Sequence, residues 1–139
     1  MKNSTIIRTR FTFSKTERLK SHKLIARLFS EGKSFVVTPL RILYQFSPLQ
    51  SNLQSGFAVS AKKFKRAVDR NRVKRLMRET YRLQKNDLRM MLKERGKCMC
   101  VFFIYTGNEI PEYKQLVEKM QFALARLQKI VNESAVENS

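Results

Sequence analysis

From Ser21 onward, apolar and polar positions recur with two distinct periods, and these mark out the elements of the chain. Leu24, Ile25, Leu28 and Phe29 share one helical face, Ser21 stands where a hydroxyl caps a first turn, and Gly32 stands where a helix ends. The pattern predicts a first helix with a core-facing stripe. Residues 35–46 turn β-branched and aromatic with Pro39 interrupting, and alternation over 40–46 places Ile42, Tyr44 and Phe46 on one side of a strand that follows a short lead-in. Residues 47–55 are polar and turn-rich, and 56–60 read as a second strand, expected to pair antiparallel with the first as a hairpin.

Helical spacing returns over residues 62–82. Val73, Leu76, Met77, Thr80 and Tyr81 fall in one apolar sector, while Asn71, Arg72, Arg75, Arg78 and Arg82 fall opposite. Ten of these 21 residues are Lys or Arg, with only Asp69 and Glu79 to oppose them. A basic helix with a clean apolar face is anchored to a core, so its charges are held in fixed positions. Residues 86–97 are charged and read as a short helix or loop, 98–105 as a buried strand, and 106–108 as a turn. Pro111 suits a helix start, and Tyr113, Leu116, Val117, Met120, Leu124, Leu127 and Val131 mark a last amphipathic helix. The reading is of one folded unit over 21–132, a partly ordered basic arm over 1–20 and a frayed acidic tail over 133–139.

Charge changes this picture from a fold to a partner. The 139 residues carry 29 Lys and Arg against 11 Asp and Glu, a net +18. Self-repulsion of that size calls for a polyanion, and nucleic acid is the first candidate. No stretch approaches the roughly 18 apolar residues of a membrane span. The N-terminus lacks the apolar core of a secretory signal, and its acid-poor composition resembles an organelle transit peptide only weakly. Cys98 and Cys100, one residue apart, do not make a disulfide framework, which fits a reducing cytoplasm.

Catalytic chemistry has little to stand on. His22 is the single histidine and sits among basic residues, the acids are scattered, no glycine-rich phosphate loop is present, and the cysteine pair lacks the further ligands of a zinc site. Arginine suits phosphate, because its planar fork donates bidentately, and Arg70, Arg72, Lys74, Arg75 and Arg78 set such donors along about two turns. Phe29, Tyr44 and Phe57 could stack unpaired bases, or could simply be core.

The run Arg70-Asn71-Arg72-Val73-Lys74-Arg75-Leu76-Met77-Arg78-Glu79 resembles the signature helix of the bacterial ribonuclease P protein family. Gly56-Phe57-Ala58-Val59-Ser60-Ala61-Lys62-Lys63 is similar to the strand and lysine pair that precede it, and Arg18-Leu19-Lys20 with Leu28-Phe29-Ser30-Glu31-Gly32-Lys33-Ser34 to the first helix. The resemblance spans most of the chain. It implies an α+β fold, a single small domain of ribosomal-protein type in which a mixed sheet packs on about three helices with a left-handed βαβ crossover. It also implies a role: a large catalytic RNA removes the 5′ leader of precursor tRNA using magnesium bound by RNA, while the protein, with no cofactor of its own, binds both RNA and leader, one protein per RNA. On this resemblance Lys62, Lys63, Arg70, Asn71, Arg72, Lys74, Arg75 and Arg78 face RNA, Arg66 and Arg82 extend that set, and Ile25, Phe29 and Tyr44 line the leader cleft. Ile25 stands where some members carry an aromatic residue, and Lys65-Arg66 replaces a small glycine-containing turn. A structural RNA binder such as a ribosomal protein is the second reading, and a protein-only nuclease the third.

Overall fold

The structure is a computed structural model describing residues 13–47 and 52–137, with side chains as far as residue 134. Its sheet contains β1 (Lys33–Val37), β2 (Leu40–Phe46), β3 (Leu53–Val59) and β4 (Met99–Tyr105), in the order β1-β2-β4-β3. The helices are α1 (His22–Glu31), α2 (Ala67–Gln84), α3 (Asn86–Glu94) and α4 (Tyr113–Glu137). The α+β class is as expected, with four helices rather than about three.

The central place in the sheet goes to β4, because its residues are apolar on both faces. Met99, Cys100, Val101 and Phe103 are completely buried, as a strand flanked on both faces requires. It pairs antiparallel with β2 (Ile42 opposite Phe103) and parallel with β3 (Phe57 opposite Phe103). The expected β2–β3 hairpin is therefore incorrect. The two strands follow each other in sequence, but β4 lies between them, and β3, with Gln54, Ser55 and Gly56, takes the edge. Its parallel pairing with β4 needs a long crossover, which α2 and α3 supply. What read as a lead-in to β2 is a strand of its own, β1, turned back through Thr38-Pro39 so that Phe35 faces Ile42.

The sheet has two unlike faces. Ile42, Leu53, Val101, Phe103 and Tyr105 join Val73, Met77 and Tyr81 of α2, Leu88 and Leu92 of α3, and Leu116, Met120, Leu124, Leu127 and Val131 of α4 in the main core. Among the described residues, the other face is covered by α1 and the Leu19 segment before it, where Leu19, Leu28, Leu43 and Cys100 form a smaller cluster. Ser21 caps α1 by accepting from the Leu24 amide at 3.2 Å, and Gly32 ends it. Gly96, at φ 63°, ends α3 in the left-handed conformation, its amide donating to the Lys93 carbonyl at 3.1 Å.

The N-terminal and C-terminal boundaries also move. Residues 1–12 lie outside the described residues, but from Phe13 the supposed arm belongs to the fold. A 3-10 turn at Lys15–Glu17 leads to Arg18, which bridges to Ser55 of β3, and the Leu19 amide donates to the Ser55 carbonyl at 2.9 Å. Glu17 (5% exposed) pairs with Lys85 (0% exposed) at the α2–α3 junction, and Arg89 approaches the same carboxylate at 3.8 Å. At the other end α4 continues to Glu137, so the tail expected from 133 is helical there.

Candidate nucleic-acid interface

Helix α2 is fixed to the core by Val73, Met77, Thr80 and Tyr81, all buried. Tyr81 shares a 2.6 Å hydrogen bond with the Ser55 hydroxyl, and burial pushes its phenol well above its ordinary pKa. A fixed apolar face dictates a fixed opposite face. Asn71, Arg72, Arg75 and Arg78 are exposed along it, and none of their side chains makes a hydrogen bond or close ion pair with another described residue, although the Arg72 charge helps to lower the Asp69 pKa. Lys74 is half-buried at the flank. A row of this kind is preorganised: the backbone is already helical and the cations are not spent on internal partners.

Four of the expected RNA-facing cations also have partners within the protein. Arg70 donates from Nη1 to the carbonyls of Phe64 (2.7 Å) and Lys65 (2.8 Å), pinning the turn that feeds α2. Arg66 bonds Asp69 at 3.0 Å, and Arg82 bonds Glu79 at 2.6 Å. Each bond raises the arginine's pKa and, at the first pair, holds the Asp69 carboxyl below its ordinary value. Lys62 is exposed in the preceding turn, and Lys63 donates to the Asn108 side chain at 2.9 Å. The substituted Lys65-Arg66 turn is thus closed by local bonds, with the buried Phe64 ring 6.1 Å from Tyr105.

A second surface lies where α1 leaves its face of the sheet partly open. Phe29, 52% exposed, meets Phe102 edge-on at 5.3 Å, and Ile25, Phe102 and Ile104 are half-buried around the Leu28–Leu43 cluster. Ile25 and Phe29 are therefore on one surface. Tyr44 is not with them. It points to the opposite face, 6.0 Å from Phe35 and beside Arg126, Lys129 and Ile130 of α4. A shift of one residue along a strand reverses the face, and Leu43 is the β2 residue directed at α1. Phe57, the third candidate for stacking, is half-buried against the main core, its ring stacked on Phe103 at 5.4 Å.

Phe102 is the cleft residue that the sequence reading missed. Two signals pointed to it: its parity along β4 matches Cys100 and Ile104, and a glycine sits inside the neighbouring strand. A Cβ on Gly56 would lie 2.4 Å from the Phe102 ring, so the ring can lie across β3 only because that side chain is missing.

The remaining candidates for chemistry stay apart. His22 is exposed, Cys98 and Cys100 are not joined in a disulfide, and burial pushes the Cys100 pKa up. Among the described residues no three His, Cys, Asp or Glu side chains converge as a metal site, and no helix is long and apolar enough to cross a membrane.

Comparison with known proteins identifies the family. The Ribonuclease P family model matches residues 13–128. A ribonuclease P protein component from Porphyromonas gingivalis is 42% identical over 130 residues, covering 92% of this chain and 95% of that protein. One from Chlorobaculum tepidum is 40% identical over 122 residues, covering 80% and 79%. Among solved structures, the Staphylococcus aureus RNase P protein superimposes with a TM-score of 0.63 at 19% identity over 81% of this chain and 95% of that one. The Thermotoga maritima RNase P protein gives 0.60 at 24% identity over 79% and 96%. The matched region includes the 3-10 turn, the whole sheet, both candidate surfaces and most of α4, so the chain belongs to the ribonuclease P protein family.

Proposed function

We propose that this protein is the protein subunit of ribonuclease P, binding the catalytic RNA through the exposed face of α2 and the single-stranded 5′ leader of precursor tRNA in the cleft between α1 and the sheet. The observation that carries this reading is the row Asn71, Arg72, Arg75 and Arg78, exposed on a helix whose opposite side is locked in the core. Guanidinium forks held at helical spacing match phosphate oxygens along a backbone, and they gain strength when counterions are released.

The protein's part is binding and orientation. Cleavage of the leader is chemistry of the RNA subunit with its magnesium ions, one protein serving one RNA, in the cytoplasm. Phe29 and Phe102 offer ring faces and edges to an unpaired base, with Ile25 as an apolar wall. Tyr44 is excluded from this cleft by its side of the sheet.

The test is reconstitution. At low magnesium, adding the protein to the catalytic RNA should raise affinity or rate for leader-bearing substrate. Arg72→Ala or Arg75→Ala should reduce that gain more than Lys129→Ala on α4. A gain indifferent to the leader would instead favour a structural RNA binder.

A further inference from the structure

The α2 row and the α1 cleft lie on different sides of β3, and an RNA strand serving both must cross the outer edge of that strand. A cavity of about 450 Å³ sits there, lined by Phe13, Arg18, Lys20, Gly56, Phe57 and Arg78, with Ser55 and Leu19 at its base. Its two ends belong to the two surfaces: Arg78 continues the exposed row of α2, and Gly56 lies beneath the Phe102 ring of the cleft. Arg18, Lys20 and Arg78 are exposed cations, and none of the lining residues is acidic.

The local structure fixes these groups where they can act together. The Arg18 guanidinium lies 5.6 Å from the centre of the Phe13 ring, which itself meets Phe57 at 5.8 Å and Tyr81 at 5.7 Å, edge-on in each case. The neighbouring Glu17 turns inward to Lys85, which takes its carboxylate away from the cavity and clamps the segment to the α2–α3 junction, while Glu79, next to Arg78, pairs with Arg82. The bridge between Arg18 and Ser55 occupies the edge of β3 only at that point. The next backbone group of the same orientation, two residues on, is at Phe57, which lines the cavity.

We propose that this notch binds a phosphodiester of single-stranded RNA between Arg18 and Arg78 as the strand crosses from α2 to the α1 cleft. The proposal rests on the function inferred above. The strand can belong to the leader or to the RNA subunit, and the chemistry recognised is the same.

The experiment compares wild type, Arg18→Ala, Arg78→Ala, the double variant and Arg72→Ala, each first checked by thermal melt. Binding of the protein to the RNA subunit is measured alone, and binding of the holoenzyme is measured to precursor tRNA with and without its leader. Each single change at the notch should weaken one of these interactions about tenfold, as loss of a charged hydrogen bond does. The salt slope should fall by about 0.7. Because both arginines hold one phosphate, the double variant should lose the same 0.7 and not twice that. Loss confined to leader-bearing substrate assigns the strand to the leader, loss with the RNA subunit alone assigns it to that RNA, and either upholds the notch. Arg18→Ala within twofold of wild type in every arm, while Arg72→Ala is deficient, overturns the notch and leaves the proposed function standing. No deficit in Arg72→Ala either would overturn both.

Discussion

Replacing Glu17 with Gln should destabilise the protein far more than a change at the end of a chain would suggest. Lys85 is fully buried, Glu17 is nearly so, and the carboxylate also accepts from the Ser14 amide (3.2 Å) and hydroxyl (2.9 Å). Glutamine keeps the shape and the bonds to Ser14 but leaves the Lys85 ammonium buried without its counter-charge. Breaking a buried pair from one side costs about 3–5 kcal/mol. For a domain of this size that is a fall in Tm of roughly 10–20 °C. Burial tends to raise the Glu17 carboxyl pKa, but the bonds from Lys85 and Ser14 outweigh it and hold the pKa below the ordinary carboxylate value. The folded pKa is thus below the unfolded one, so this stabilisation is complete above the ordinary carboxylate range and is lost as pH falls through the folded value. Thermal and urea unfolding between pH 7 and pH 3 would show wild type losing stability over that window and Glu17→Gln losing less. Adding Lys85→Met to Glu17→Gln should recover most of the loss, because removing both charges leaves none uncompensated. A single-variant cost below about 1 kcal/mol, or no recovery in the double, would refute the reasoning.

Other consequences follow from the two surfaces. Arg70→Ala should lower stability by about 1–3 kcal/mol, since the carbonyls of Phe64 and Lys65 lose a charged donor, whereas Arg72→Ala should leave the melting curve within about 0.5 kcal/mol of wild type. Chemical denaturation of both variants checks this. Gly56→Ala should push the Phe102 ring outward toward Phe29, costing about 1–3 kcal/mol and weakening binding of leader-bearing substrate. Titrating leader-bearing and leaderless substrates reads that difference. Phe29→Ala should weaken only leader-bearing substrate, by about 1–3 kcal/mol if the ring stacks on a base, while Tyr44→Ala should show no such selectivity.

The sequence was most informative where one period persists over several turns. The stripe from Val73 to Tyr81 and the stripe from Leu116 to Val131 each announce a helix and its buried side, and Ser21 and Gly32 bracket α1 within a residue. Sheet order was not legible, because short strands near in sequence suggest a hairpin, and only the double-sided burial of β4 shows which strand sits in the middle. Tyr44 shows how narrow the margin is: its neighbour Leu43 faces α1, and nothing local to β2 reveals which parity does so. Charge composition was equally silent on which cations have partners within the protein. Arg66, Arg70 and Arg82 look like Arg72 and Arg75 in the sequence, and only three-dimensional partners show that they are engaged internally. The ordered segment from Phe13 was hidden because its anchors, Ser55 and Lys85, are distant in sequence.

The exposed α2 row is the proposed phosphate-binding element, and the salt dependence of binding to the ribonuclease P RNA reads its contacts out directly. With Arg72, Arg75 and Arg78 all changed to Ala, the slope of log K against log salt should fall by about 2–3, close to 0.7–0.9 for each lost contact, with the melting temperature little changed. An unchanged slope and affinity in a folded triple variant would contradict it.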